Sequence, residues 1–352
     1  PSCCVTSGAF PLFVLSVVIA GLCVLSAAFG VVAVGFRIAN TRKAHRWRGL
    51  ERRWEPALLE VVAGDAPADS LAPLVGPRDR RYFVAFLLRL RRRLRGSERD
   101  AIVAVARPYL DAIAEQLGSR SAEVRARAVQ TLSLLGADIY GAELRRALDD
   151  PSPLVAMVAA RGLARDQNPE HAAAILLHLE QFDEWSPRFL AAMLASMGPN
   201  AAAPLCDTLA DPSRPSSVRA VSADALRALH DLPAADVAAA VLGTSTDREL
   251  VAACLRLLAA LGRPAHLPRI LPLVTSDDPV VRGASIRALA SLGSAAEREL
   301  LRTGLDDPSP WVARAAAEGL MESGGADVLL ALAATDHPRA VLAWQVLLRV
   351  AA

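Results

Sequence analysis

Paired aspartates come nearest in this sequence to a catalytic or metal-binding pattern, since two neighbouring carboxylates can hold a divalent cation or share acid–base work. The pairs are Asp149-Asp150, Asp277-Asp278 and Asp306-Asp307. Each pair stands before a proline, in a segment that is repeated along the chain. Aspartate before a helix accepts hydrogen bonds from free backbone amides, and proline suits the first helical turn. We therefore assign the pairs to helix capping.

The histidines and cysteines do not complete a reactive pattern either. There are six histidines and five cysteines, and no HExxH or CxxC spacing occurs among them. His171 and His178 are seven residues apart and can share a helix face, but no third ligand accompanies them. GxSxG, P-loop and GxGxxG patterns are also absent. We expect a non-enzymatic protein with no metal, no cofactor and no small-molecule substrate, in a reducing compartment.

The aspartate-proline segments mark an internal repeat. Asp-Asp-Pro-Ser-Pro at residues 306–310 recurs at 149–153, with weaker copies at 183–187 and 277–279. An Ala/Leu-rich helical pattern follows each copy, and its opening apolar residue recurs every 31 residues on average. These apolar residues are Val124, Val155, Phe189, Val218, Leu250, Val281, Val312 and Val341. A shorter helical pattern precedes each turn, so the repeated unit is helix–turn–helix.

The repeat resembles the HEAT-repeat family, in particular the short bacterial HEAT-like repeats also found in phycobilisome lyases. The resemblance covers roughly residues 110–352 and is clearest at 121–136, 277–293 and 306–324. It implies an all-α fold, a HEAT-like α-solenoid of about eight helical hairpins. Deoxyhypusine hydroxylases of this repeat type hold iron with His-Glu pairs, which are absent here. Nothing marks the chromophore pocket of a phycobilin lyase.

Three arginines directly follow the apolar residue that opens a repeat. They are Arg125, Arg219 and Arg282. In this repeat type we expect each of them to pair with the turn carboxylate of a neighbouring unit. The pairs would form an internal, structural ladder.

Charge is distributed unevenly along the chain. Residues 37–95 carry a net charge of +9, and the remainder carries −7, for a total of +2. HEAT-like DNA glycosylases hold phosphates on basic surfaces, whereas these repeats are acidic, so we expect no nucleic-acid partner. The basic segment favours an anionic membrane surface.

Residues 10–36 form an uncharged stretch long enough to cross a bilayer. A signal peptide is the alternative, but a charged segment before the apolar stretch is lacking. The arginines that follow predict an external tail at 1–9 and cytoplasmic repeats, by the positive-inside rule. The chain has a single lysine, Lys43, which is typical of a GC-rich bacterial genome. We expect the bacterial inner membrane.

This stretch and its flank carry two predicted contact sets. Small residues let membrane helices approach closely, although they are also common in such helices generally. The predicted packing face is Ser16, Ala20, Cys23, Ala27 and Gly30. The flank is expected to contact anionic lipid headgroups through Arg37, Arg42, Lys43, Arg46, Trp47, Arg48, Arg52, Arg53 and Trp54.

The remaining predicted contacts lie beyond the flank. Residues 37–118 read as basic juxtamembrane and capping helices, and 119–352 as the solenoid. Arg89, Arg92 and Arg93 would touch an acidic partner or lipid phosphates, unless they form an ordinary solvated face. Trp185 and Trp311 replace ordinary residues in the turns, and tryptophan is enriched in binding sites. Both are therefore predicted partner contacts.

Together these features predict a membrane-anchored scaffold or accessory subunit that binds and positions or regulates another membrane protein. A membrane glycosyltransferase of polysaccharide synthesis or export is one partner class that fits this layout. The alternative is a membrane-tethered adaptor for soluble signalling proteins. Residues 344–352 are largely apolar, so we expect them to fold back on their own repeat or to be covered by a partner.

Overall fold

The computed structural model describes residues 9–165, 168–294 and 297–351. Within these ranges all regular structure is helical and no β-strand occurs, which confirms the all-α expectation. The chain divides into a first unit, Pro1–Ala112, and a second unit, Ile113–Ala352. Each unit has its own buried core.

The first unit is built around the C-terminal half of one long helix. Its α-helices are α1 (Ala9–Ala63), α2 (Arg80–Arg91) and α3 (Ser97–Ala106), with 3₁₀ segments at Ala68–Leu74 and Arg107–Tyr109. The predicted membrane span and the segment after it thus form one continuous helix of 55 residues. Trp54 and Leu58 of α1 are fully buried beside Phe83 and Leu87 of α2. The short α4 (Asp111–Ala114) crosses the boundary between the units.

The second unit alternates two series of helices, as the repeat predicts, and we call them long and short, although Pro187–Ala195 in the long series has nine residues, as many as the longest helices of the short series. The long helices are α5 (Ala122–Leu135), α7 (Pro153–Leu163), α9 (Pro187–Ala195), α11 (Ser216–Leu229), α13 (Arg248–Leu261), α15 (Pro279–Leu292), α17 (Pro310–Glu322) and α19 (Ala340–Ala351). The short helices are α6 (Gly141–Arg146), α8 (Pro169–Leu177), α10 (Ala202–Ala210), α12 (Ala234–Leu242), α14 (Leu267–Ile270), α16 (Arg298–Gly304) and α18 (Ala326–Ala333). Further 3₁₀ segments lie at Glu115–Gly118, Ala147–Asp149, Leu179–Phe182, Pro199–Ala201, Pro264–His266 and Leu271–Thr275. This repeat-like arrangement is consistent with an α-solenoid.

Local chemistry explains where the long helices begin and end. The Asp278 carboxylate accepts hydrogen bonds from the backbone amides of Val280 and Val281, at 2.7 and 3.3 Å. Pro279 occupies the first helical position, where its missing N–H group is harmless. Gly293 then follows the last residue of α15. The assignment of this aspartate to helix capping is confirmed.

Two glycines allow successive long helices to pack closely. A Cβ atom at Gly162 in α7 would lie 2.5 Å from the Ser133 Cβ in α5. At Gly319 in α17 it would lie 2.6 Å from the Ala290 Cβ in α15. Both separations are far below van der Waals contact. Glycine at these positions is therefore a requirement of the stacking.

Most apolar residues that open the long helices enter the core, and two do not. Val155, Val218, Leu250, Val281 and Val312 are buried, and Val124 is half-buried. Phe189 and Val341 are instead 37% and 69% exposed. In these two helices Leu190 and Ala343 are buried instead.

Candidate functional site

The two full copies of Asp-Asp-Pro-Ser-Pro form equivalent structures, which we call the first joint (residues 149–153) and the second joint (residues 306–310). In the second joint, Arg282 of α15 donates to both carboxylate oxygens of Asp307, at 2.8 and 3.0 Å. Its third nitrogen donates to the carbonyls of Ser276 and Asp277. The backbone amide of Ser309 also donates to Asp307, at 2.8 Å. Burial opposes ionisation of Asp307, but these hydrogen bonds outweigh it and hold its pKa below the usual value.

The first joint repeats this arrangement. Arg125 donates to both oxygens of Asp150 at 2.7 Å, and the Ser152 amide donates at 2.8 Å. The hydrogen bonds from Arg125 hold the pKa of the Asp150 carboxyl below its usual value. The predicted ladder is therefore confirmed for Arg125 and Arg282. It is wrong for Arg219, which is buried and donates to the Leu209 carbonyl at 3.0 Å instead.

The first aspartate of each joint pairs with a histidine from the following repeat. His178 Nε2 lies 2.8 Å from Asp149 Oδ1, and His337 Nε2 lies 3.1 Å from Asp306 Oδ1. All four acidic residues of the joints are thus tied into contacts between repeats. Within the part of the chain that the structure describes, no cluster of three histidine, cysteine, aspartate or glutamate side chains fits a metal ion.

The two histidines differ in what their second ring nitrogen contacts. His178 Nδ1 lies 2.8 Å from the Ala174 carbonyl oxygen, which can only accept a hydrogen. Both ring nitrogens of His178 therefore face acceptors, which is the pattern of an imidazolium. Burial of the ring lowers the pKa of His178, but the bonds to Ala174 and Asp149 outweigh it and the net shift is upward. His337 Nδ1 instead accepts a hydrogen bond from the Arg339 backbone amide at 3.1 Å.

The two described cysteines of the repeats are poor nucleophiles. Burial raises the pKa of Cys206 to about 11 and that of Cys254 to about 12. A thiolate is needed for nucleophilic attack and for metal binding. Cys254 is buried and Cys206 half-buried, so neither thiol is suited to chemistry at the surface.

The first unit corrects one predicted lipid contact. Trp54 is fully buried, its ring lies 5.0 Å from that of Phe83, and its Nε1 donates to the Leu74 carbonyl at 3.1 Å. Trp54 is therefore a core residue and not a lipid contact. Trp47 is half-buried and packs edge-on against Tyr82 at 4.9 Å. Arg89 lies over the Trp47 ring at 4.6 Å and pairs with Glu51, so its position is fixed within the unit.

The other predicted basic contacts lie at the surface. The exposed arginines are Arg37, Arg42, Arg46, Arg48, Arg52, Arg53, Arg92 and Arg93. Of these, Arg46 pairs with Asp79 at 2.5 Å. The side chain of Lys43 lies outside the described residues.

The structure describes only part of the predicted packing face of the span. Ala27 and Gly30 are exposed on α1, whereas the side chains of Ser16, Ala20 and Cys23 lie outside the described residues. Between residues 21 and 38 the large apolar side chains are 47–76% exposed, among them Phe29, Val31 and Phe36. In the described part of the chain, no individual helix combines the length and apolarity of a membrane crossing. The sharply bent pair Pro187–Ala195 and Pro199–Ala210 meets those criteria only when taken together.

The two predicted tryptophan contacts have different surroundings. Trp185 is half-buried, and its ring packs edge-on against the buried Phe182 at 5.9 Å. Trp311, at the second position of α17, is 74% exposed. Val280 and Val341 occupy the same position in α15 and α19 and are 51% and 69% exposed. Sequence reasoning missed this pair, although their common distance from the helix start was a usable signal.

The fold and these surfaces define an all-α protein of stacked helical hairpins. Residues 235–322 match the family model of HEAT repeats. No curated protein sequence matches the chain.

Several solved structures resemble the chain at low identity. The complex of CpcE and CpcF of phycocyanin lyase from Nostoc sp. PCC7120 is 21% identical, with 68% of this chain and 87% of that chain covered and a TM-score of 0.33. Human deoxyhypusine hydroxylase in complex with glycerol is 18% identical, with 79% and 98% covered and a TM-score of 0.31. An engineered protein is 18% identical, with 84% and 94% covered and a TM-score of 0.35.

Proposed function

We propose that this protein is a non-catalytic, membrane-anchored HEAT-repeat scaffold that binds and positions or regulates another membrane protein. The observation that carries the proposal is the exposed apolar surface of α1 between residues 21 and 38. Val31 and Val32 are 74% and 55% exposed, although adjacent residues point about 100° apart around a helix. A helix that is apolar on all sides is typical of a protein core or a bilayer, and this segment is not in a core.

The charges that follow support an orientation. Arg42, Arg48, Arg52 and Arg53 are exposed on α1 directly after its apolar part. Basic residues next to a span stay on the cytoplasmic side and favour anionic headgroups. We therefore place the N-terminus outside the bacterial inner membrane and the repeats in the cytoplasm.

The repeats supply the binding surface. Stacked hairpins present an extended surface to other proteins. The joint aspartates are engaged in structural contacts, and the thiols of Cys206 and Cys254 have raised pKa values. Because these groups are engaged in structural contacts or are poor nucleophiles, they support a binding role rather than a catalytic one.

Purification of the full chain from membranes in mild detergent tests the partner. We expect a second membrane protein in a fixed ratio to the chain. Recovery of soluble proteins alone would favour a membrane-tethered adaptor and overturn the scaffold. A chain extracted from membranes by alkaline carbonate would overturn the anchor itself.

The small-residue face of α1 provides a sharper variant. Leucine at Ala20, Ala27 and Gly30 should release the partner, because bulky side chains prevent close helix approach. A matched control places alanine at Leu22, Leu25 and Phe29, which alters the other side of the helix. Equal release by both variants would argue against the stripe as the contact.

A further inference from the structure

The second unit exposes an apolar residue near the start of three consecutive long helices. Val280, Trp311 and Val341 each occupy the second position of their helix and are 51%, 74% and 69% exposed. Single exposed apolar residues are common, but a row of them is not. Such rows mark surfaces that other molecules cover.

Contacts between the turns hold this row in one continuous edge. Arg248 lies 3.8 Å from Asp278. Arg282 bonds both oxygens of Asp307, and Arg339 donates to the Asp307 carbonyl at 2.8 Å. Adjacent helices pack roughly 8–10 Å apart, so the three apolar residues span about 20 Å.

An exposed acid accompanies each apolar residue. Asp277, Asp306 and Asp336 are all exposed in the turns before α15, α17 and α19. Asp306 is 69% exposed, although one of its oxygens faces His337. The nearby arginines Arg282 and Arg339 are engaged with Asp307, as described above. We call these six residues the acidic–apolar edge: Val280, Trp311, Val341, Asp277, Asp306 and Asp336.

We propose that the acidic–apolar edge binds a basic amphipathic helix of the kind that flanks a membrane span on its cytoplasmic side. This rests on the proposed function, because a membrane-protein partner presents such arginine-rich segments to the cytoplasm. Charge complementarity selects this partner over an acidic or neutral one. An arginine stacks on the face of Trp311 while it pairs with Asp306.

The geometry of the edge also sets the spacing in the partner. A helix rises 1.5 Å per residue, so contacts about 10 Å apart correspond to residues about seven positions apart. The partner helix therefore presents basic and apolar residues at i, i+7 and i+14. A span of this length needs about four turns.

Titration with a designed peptide tests this assignment. The probe is a fluorescent helical peptide of about 20 residues, with arginine and leucine side by side every seven positions. Its control carries glutamate in place of arginine. Each is titrated with the full chain in neutral detergent micelles, empty micelles serve as the blank, and fluorescence anisotropy reports binding.

We expect the arginine peptide to bind and the glutamate peptide not to bind. Trp311→Ala should weaken binding about tenfold or more, as truncation of a tryptophan anchor does. Asp277→Asn with Asp306→Asn should weaken it further and reduce its salt dependence. Leu154→Ala, 51% exposed at the same position of α7, is the matched control and should bind like the parent chain.

Absence of arginine-peptide binding, or equal binding by the Trp311→Ala and Leu154→Ala variants, overturns the edge. Circular dichroism of each variant confirms that the helices remain folded. Recovery of a membrane partner in the copurification experiment would still support the scaffold in that case. If no membrane partner copurifies but the arginine peptide still binds, the scaffold proposal is wrong and the proposal for the acidic–apolar edge stands.

Discussion

The first and second joints share one sequence and one structural core, and they differ at the surface. In both, an arginine of the preceding long helix grips the second aspartate, and the next serine amide completes the carboxylate's bonds. The first joint then exposes Leu154 and a doubly bonded His178. The second exposes Trp311 and a histidine that accepts from a backbone amide. The contacts that both joints share hold neighbouring repeats together, whereas the exposed residues that differ between the joints are available for binding.

Removing the arginine that bonds the second aspartate of a joint should have the largest effect on stability. Arg282→Ala leaves the Asp307 carboxylate without its main partner and should lower the free energy of unfolding by about 2 kcal/mol. Arg125→Ala should act in the same direction in the first joint. Because pairing lowers the pKa of both aspartates, their contribution is present above the unfolded pKa and is lost as pH falls through the folded value. Urea unfolding at pH 7 and pH 3 measures this.

If the Arg282→Ala chain is as stable as the parent at pH 7, the pairing of Arg282 with Asp307 does not contribute to stability. Arg287→Ala, exposed on the opposite side of α15, is a suitable control. Its effect should stay within about 0.5 kcal/mol.

Substituting the glycines at which successive long helices pack closely should have a smaller effect on stability. Gly162→Ala and Gly319→Ala bring a Cβ within 2.5 and 2.6 Å of Ser133 and Ala290. Overpacking outweighs the gain in helix propensity, so each should destabilise by about 1 kcal/mol. Thermal unfolding of purified variants measures the change.

Gly283→Ala is the matched control for this pair. Its Cβ would meet Val312 at 3.8 Å, an ordinary contact. We expect a gain of up to about 1 kcal/mol from reduced backbone entropy. Destabilisation by all three substitutions alike would show that glycine matters here for another reason.

The sequence reveals these joints because their partners recur at a fixed spacing. Asp-Pro turns, the arginine after each opening residue and the helix-ending glycines all follow the repeat period. Arg219 departs from the ladder because its helix follows a different turn, Asp-Pro-Ser-Arg-Pro, and its guanidinium reaches the Leu209 carbonyl. The repeat predicts contacts within the period, and turn geometry decides the exceptions.

The first unit was less predictable because it has no such repeat. A tryptophan among arginines fits a membrane interface and a protein core equally well in composition. Trp54 is buried because Phe83 and Phe86 of α2 lie against its ring, at 5.0 and 5.9 Å. That is a tertiary contact that periodicity alone does not encode. The raised pKa of His178 likewise depends on two neighbouring acceptors, the Ala174 carbonyl and the Asp149 carboxylate.

The contacts of His178 predict a pH effect on stability in the first joint. The raised folded pKa of His178 means that its contribution is complete below the unfolded pKa of about 6.5 and is lost as pH rises through the folded value. His178→Gln should therefore destabilise more at pH 5.5 than at pH 8.5, by less than about 1 kcal/mol, because the pair is solvent-screened. Chemical unfolding of the variant and the parent chain at both pH values measures the difference, and an equal loss at pH 5.5 and pH 8.5 would contradict the assignment.

The smallest effect on stability should come from the residue with the largest proposed effect on binding. Trp311 is 74% exposed at the start of α17, so Trp311→Ala removes almost no buried apolar surface. We expect its free energy of unfolding to change by less than about 0.5 kcal/mol, as for Leu154→Ala in the first joint. Urea unfolding of the two variants beside the parent chain measures this. A loss above about 1 kcal/mol for Trp311→Ala alone would mean that the ring packs on its own repeat. Unchanged stability with weakened peptide binding would separate the surface of the second joint from its structural core.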